Sequence, residues 1–147
     1  MPYDPGGMRT FLAFVRAFQS LDRFARNAMR GLGLCFTDFV LLEALLNSGP
    51  HTPGKLVAHI GITSGSVTAA LDRLEGRGLV EREDSPTDRR SSVVTLTPAG
   101  RDLIGPAYAA HAAEIDRVMG EALTPEDRRR LFELSRALQR AADKELS

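Results

Sequence analysis

The chain has 147 residues, of which 43% are hydrophobic and 26% are charged, values typical of one globular domain with its own core. Its 19 basic residues balance its 19 acidic residues. This balance argues against a protein that coats nucleic acid indiscriminately through a general positive field, so any DNA contact must come from individually placed arginines.

The first predicted element is a long amphipathic helix. Residues 1–7 hold two prolines and two glycines and are expected to form a loose arm. From residue 8 to residue 29, apolar side chains recur every three or four positions with arginines between them, a pattern that predicts a helix with a broad apolar stripe. The glycines within 31–33 are expected to end it.

Two shorter helices are predicted next. Thr37 is expected to cap the second helix, which is strongly apolar and stops near 47–50. Thr52 then caps a third helix with Pro53 in its first position, where the missing N–H costs little. This helix is expected to end at Ile60.

The centre of the chain predicts a helix followed directly by a β-hairpin. Thr63 is expected to cap the fourth helix, over 64–75, and residues 79–82 and 92–96 have the composition of β-strands. The polar segment between the strands is their connection. A helix for one DNA groove and a cationic loop for the next is the pattern of a winged helix-turn-helix.

Two long helices complete the chain. One is expected to begin at 97–98, with Pro106 bending it or interrupting a backbone bond, and the last begins at 124–125. We therefore predict a mainly α protein with a small β-wing, in which a winged helix-turn-helix lobe, 36–97, is flanked by N- and C-terminal dimerisation helices, 8–30 and 98–146. The flanking helices each have an apolar face, and a symmetric dimer would cover all of them.

The fourth helix has two different faces. At 100° per residue, one side carries Val67, Ala70, Leu71 and Leu74, spaced as a buried stripe. The other side carries mainly short side chains, which let a backbone approach DNA closely, and the hydroxyls at its N-terminus favour phosphate. An ordinary surface helix is the plainer alternative.

Four short motifs of the chain resemble the MarR (multiple antibiotic resistance regulator) family of bacterial transcription factors. They are LDRLE at 71–75, GLVER at 78–82, PTDRR at 86–90 and LTPAG at 96–100. They match the family pattern at its spacing, and the flanking helices occur in the family order. The similarity therefore covers essentially the whole chain as one domain.

The resemblance implies a homodimer that binds a pseudo-palindromic operator in double-stranded DNA, most often as a repressor. The first, fifth and sixth helices would form the dimer, the fourth would enter the major groove, and the wing tip would reach the minor groove. The DNA-binding residues expected on this basis are Thr63, Ser64, Gly65, Ser66, Thr68, Ala69, Arg73, Asp88, Arg89 and Arg90.

Individual roles follow from the chemistry of these side chains. Asp88 is expected to hold Arg90 in one rotamer, and a narrow A·T-rich minor groove rewards an inserted arginine. Arg73, further along the helix, is expected to contact phosphate, whereas Arg77 and Arg82 are either phosphate contacts or packing charges. Because alanines follow Thr68, the helix lacks an arginine that could read guanine, so hydroxyls, thymine-methyl contacts and groove shape are expected to specify the site.

The sequence is less informative about signal sensing. Family members often bind small aromatic or phenolic molecules, and Phe14, Phe18, Phe36 and His51 are the candidates to line such a crevice. Aromatic residues at helical spacing are more typical of core packing than of a ligand site. Redox sensing by Cys35 is the other possibility considered, but this thiol lies far from the start of the first helix, where peroxide-sensing relatives carry theirs, so inert packing is expected.

Other classes of function lack support in the sequence. No cofactor is expected, a multi-cysteine zinc site is excluded by the single cysteine, and the three histidines have no close metal-ligand spacing. No apolar run approaches the roughly 18 residues of a membrane span, no secretory signal opens the chain, and a cytoplasmic protein is expected. Catalytic motifs are absent, so an enzyme is not predicted. The alternative is a winged-helix protein-interaction module without DNA binding.

Overall fold

The computed structural model describes residues 6–84 and 92–146 and confirms the mainly helical fold with a small two-stranded wing. The helices and strands, in chain order, are α1 (Gly7–Ala28), α2 (Phe36–Ser48), α3 (Pro53–Ile60), α4 (Ser64–Gly76), β1 (Val80–Asp84), β2 (Ser92–Leu96), α5 (Pro98–Ala122) and α6 (Pro125–Glu145). A short 3₁₀ turn, Arg30–Leu32, links α1 to α2.

The core lies between α2, α3, α4 and the wing. α2 is the central element, since its leucines at 41, 42 and 45 are buried on more than one side of the helix. The predicted inner stripe of α4 is confirmed, because all four of its side chains have 0% exposure. Full burial of a Leu side chain contributes about 1.5–3 kcal/mol, so this packing fixes the position of α4 in the lobe.

The wing strands form an antiparallel pair in which Val80 lies opposite Leu96 and Asp84 opposite Ser92. His51, between α2 and α3, adds a short bridge to the outer side of β2. Its backbone N–H donates to the Val94 carbonyl at 3.2 Å and its carbonyl accepts from Val94 N–H at 2.8 Å. The wing is thereby joined to the helices at its base.

The threonine caps predicted at α3 and α4 are confirmed, and the last helix starts at 124–125 as expected, also with a threonine cap. Thr52, Thr63 and Thr124 each accept a backbone N–H in the first turn, and Thr124 forms a reciprocal capping box with Asp127.

The predicted cap at Thr37 is wrong. α2 begins one residue earlier, at Phe36, and Cys35 occupies the cap position without a side-chain hydrogen bond. Its backbone carbonyl accepts the Phe39 N–H at 3.0 Å. Because α2 begins at Phe36, this side chain packs partly against the core.

α5 continues from Pro98 to Ala122 through Pro106, which lies inside the helix. Proline has no backbone N–H, so residue 106 cannot donate the helical hydrogen bond that the carbonyl of Asp102, four residues earlier, would otherwise accept.

The chain forms two compact units, Met1–His111 and Ala112–Ser147, whose boundary falls within α5. In the described part of the chain, none of the helices combines the length and apolar character needed to cross a bilayer.

Candidate nucleic-acid interface

The outer face of α4 exposes short side chains above a fully buried inner face. Every predicted contact residue on this helix and at its cap is solvent-exposed: Thr63, Ser64, Gly65, Ser66, Thr68, Ala69 and Arg73. Since the side chains of the inner face are fully buried, the helix cannot rotate without exposing them to solvent. The structure therefore presents one defined surface of backbone and short side chains.

Hydroxyl groups at the start of α4 are partly committed to the helix itself. Thr63 Oγ1 accepts Ser66 N–H at 3.2 Å and donates to Ser66 Oγ at 2.9 Å. Thr68 Oγ1 donates to the Ser64 carbonyl at 3.0 Å. The Thr68 methyl group and oxygen lone pairs remain for a partner, which is the chemistry suited to a thymine methyl or a base amino group.

Arg82 of β1 forms ion pairs with both acids of α4. Its Nη2 lies 2.7 Å from Asp72 Oδ1 and its Nη1 lies 2.9 Å from Glu75 Oε2. The Arg82 side chain is only 26% exposed, against 60% and 41% for its partners. The sequence left two roles open for Arg82, and the structure shows the packing role. The clamp joins wing to helix and offsets negative charge that would repel phosphates.

Arg73 connects α4 to the first turn of α2. Its Nη2 donates to Asp38 Oδ1 at 2.7 Å and to Cys35 Sγ at 3.4 Å. Asp38 is buried, with 5% exposure, although its partner is half-exposed. The hydrogen bond to Asp38 raises the pKa of Arg73 above its ordinary value. This ion pair was not predicted; its only local signal is an acid in the first turn of a strongly apolar helix.

Arg77, at the end of α4, is also engaged within the chain. Its Nη1 donates to the Gly33 carbonyl at 3.0 Å, which ties the C-terminus of α4 to the segment before α2. This is a packing contact, and a phosphate contact through the other nitrogens of Arg77 stays a prediction.

The predicted wing-tip residues Asp88, Arg89 and Arg90 lie outside the described residues. β1 ends at Asp84 and β2 begins at Ser92, so these residues belong to the connection between paired strands.

The four candidate effector residues have different surroundings. Phe14 and Phe18 are exposed on α1. Phe36 lies under the Arg26 guanidinium, whose carbon is 4.0 Å from the ring centre. His51 Nδ1 is 2.6 Å from the Pro50 carbonyl, and its ring lies edge-on to that of His59. Within the described residues, no ring contact joins the α1 pair to Phe36 or His51.

The remaining candidate chemistry is limited. Cys35 is an exposed free thiol whose Sγ accepts a hydrogen bond from the Arg73 guanidinium. His111 packs edge-on against Phe39 with ring centres 5.3 Å apart. Among residues 6–84 and 92–146, no group of three or more His, Cys, Asp or Glu side chains is arranged to hold a metal ion.

Comparison with known proteins agrees with this geometry. The MarR family model matches residues 36–92. The HTH-type transcriptional regulator YkoM of Bacillus subtilis (strain 168) is 32% identical over 127 residues, covering 86% of this chain and 82% of YkoM. MhqR, an HTH-type transcriptional regulator of the same organism, is 33% identical over 112 residues, or 76% of this chain and 77% of MhqR.

A solved structure of mutant MarR from E. coli complexed with operator DNA has the same fold. The TM-score is 0.77 at 24% identity, and the match covers 86% of this chain and 90% of that chain. Together with the exposed outer face of α4 and the paired wing strands, these similarities identify the family. The chain belongs to the MarR family of DNA-binding, winged helix-turn-helix transcriptional regulators.

Proposed function

We propose that this protein is a homodimeric repressor that binds a pseudo-palindromic operator in double-stranded DNA. The single observation that carries the proposal is the outer face of α4, where short exposed side chains lie over an inner face of 0% exposure. Such a helix fits a major groove, and the free N–H groups of its first turn suit a phosphate. The E. coli MarR structure, which was solved in complex with operator DNA and has the same fold, supports this docking.

A homodimer is supported by apolar side chains that remain exposed on the helices outside the DNA-binding lobe. On α1 these are Met8, Phe11, Leu12, Phe14 and Phe18, and on α6 they are Leu131, Phe132, Leu134 and Leu138. Helices this apolar on an exposed side usually have a protein partner. A second copy supplies the same surfaces in a symmetric arrangement and places two α4 helices on one duplex.

The wing supplies the second part of the proposed contact. Arg90 would enter the minor groove, Asp88 would orient it, and Arg89 would lie on the adjacent phosphates. The Arg82 clamp supports this role because it joins β1 to α4 through two ion pairs, so the wing and the helix approach the duplex as one body.

Replacing Arg90 with alanine is expected to weaken operator binding by about 3 kcal/mol per dimer, or about a hundredfold, because two wings lose their groove contact together. Electrophoretic mobility shift with a duplex selected by the wild-type protein measures the loss. Arg130→Ala on α6 removes the same charge and should leave affinity nearly unchanged, whereas Asp88→Ala should have a smaller effect than Arg90→Ala. Wild-type affinity in Arg90→Ala would refute the wing contact.

Salt dependence distinguishes this function from a winged-helix module that binds only proteins. A DNA-binding dimer should lose affinity steeply with rising salt, because each phosphate contact releases counterions.

A regulator of this kind needs no catalytic site, and location in the cytoplasm stays a prediction from the sequence. Release by a small aromatic effector, with Phe14, Phe18, Phe36 and His51 as candidate contacts, is also proposed from the family resemblance alone.

A further inference from the structure

The contact between Asp38 and Arg73 connects the outer side of α4 to a buried charge. The Asp38 side chain is 7% exposed, the Arg73 side chain is 50% exposed, and their atoms are 2.7 Å apart. A buried carboxylate is costly unless a cation or N–H donors satisfy it. Since the described structure shows Arg73 as its side-chain partner, Asp38 holds the guanidinium in place.

The guanidinium keeps unused donors on its exposed side. Its contacts with Asp38 and Cys35 both use Nη2. Within the described residues, the N–H groups of Nη1 and Nε have no hydrogen-bond partner. A planar fork of donors that is fixed at one nitrogen and open at the others suits a phosphate oxygen.

We propose that Asp38 is a positioning residue for DNA binding, which holds Arg73 in one rotamer so that Nη1 and Nε can bind a backbone phosphate beside the groove that α4 enters. The proposal rests on the DNA-binding function proposed above. It makes Arg73 a sequence-independent contact and gives a buried residue of α2 an effect on affinity. This arrangement lowers the entropy cost of DNA binding, because the long Arg73 side chain is already ordered in the free protein.

A purely structural role for the pair predicts different behaviour. If the pair only tied α2 to α4, either substitution would break that contact and weaken DNA binding, but neither would change the salt dependence of binding, because no phosphate contact would be lost. Removal of a negative charge near phosphates would by itself raise affinity. A decrease in affinity from Asp38→Asn that disappears when Arg73 is also replaced, together with a lower salt slope in Arg73→Gln, therefore identifies positioning.

The test is a double-mutant cycle with Asp38→Asn, Arg73→Gln and the combined variant. The probe is a fluorescent duplex that the wild-type protein enriches from a random-sequence pool, titrated over a range of KCl concentrations. Arg73→Gln should weaken binding about tenfold and lower the log–log salt slope by about 2 per dimer, one phosphate for each protomer. Asp38→Asn should weaken binding about fivefold alone and should have no further effect beside Arg73→Gln.

Asp22→Asn is the matched control, because Asp22 pairs with Arg26 at 2.8 Å within α1 and does not contact α4. It should leave both affinity and slope unchanged. Urea unfolding checks that each variant is folded, and Asp38→Glu, which keeps the charge but displaces it, should give an intermediate loss if Asp38→Asn does not fold.

An unchanged salt slope in Arg73→Gln, or equal losses from Asp38→Asn in both backgrounds, would overturn the inference while leaving the proposed function intact. A wild-type protein that enriches no duplex would overturn both.

Discussion

Replacing Gly100 with alanine is expected to destabilise the protein by about 3 kcal/mol or more. Gly100 is buried in the first turn of α5, and a Cβ there would overlap the Leu79 carbonyl oxygen and lie 3.2 Å from Leu96 Cδ2. The Leu79 carbonyl also accepts the Thr97 N–H at 3.2 Å, so it cannot move without breaking the junction of α5 and the wing. Thermal unfolding should show a midpoint lowered by about 10 °C.

Gly120→Ala is the matched control, because Gly120 lies exposed in the same helix and a Cβ at that position meets nothing within 4 Å. Alanine is favoured over glycine inside a helix by about 1 kcal/mol, so this variant should be as stable as the wild-type protein or slightly more stable. Equal unfolding midpoints for Gly100→Ala and the wild type would show that the close approach to Leu79 does not constrain this position.

The double substitution Leu134→Glu with Leu138→Glu is expected to convert the protein to a monomer and to lower operator affinity at least about a hundredfold. Both leucines are exposed on one side of α6 and, in the proposed dimer, they are buried against a second copy. Charges there would have to be desolvated on association. Because two linked half-site contacts bind far more tightly than one, loss of the dimer removes most of the affinity. Sedimentation velocity and mobility shift measure the two effects.

Arg129→Gln with Arg140→Gln is the control for this substitution. It changes the charge of each protomer by the same amount, on the opposite side of α6. This variant should remain dimeric and lose little affinity. If the glutamate variant sediments as the wild type does, α6 does not form the dimer interface.

Much of the fold was predictable because its helices follow local rules. The period of α4 placed Val67, Ala70, Leu71 and Leu74 on the buried side, and threonine caps located the starts of two helices. The start of α2 was predicted incorrectly, since the preference of Thr37 for a cap position is weaker than the packing of Phe36 against the core.

Contacts between distant residues could not be predicted in this way. Asp38 and Arg73 are 35 positions apart, and Arg82 reaches Asp72 across the turn from α4 to the wing. Periodicity reports which side of an element is buried but not which charged groups meet at its edge. As a result, Arg73 was expected to be a free phosphate contact, and the partners of Arg77 and Arg82 within the chain were not predicted.

The central claim is that a homodimer places two α4 helices on one operator, and the stoichiometry and geometry of the protein–DNA complex test it most directly. Hydroxyl-radical footprinting of the selected duplex, combined with the protomer-to-duplex ratio from sedimentation, should give two protomers on two symmetric half-sites centred about 10 bp apart. Minor-groove protection should extend on each side where the wings bind. A single protected half-site occupied by one protomer would contradict the account.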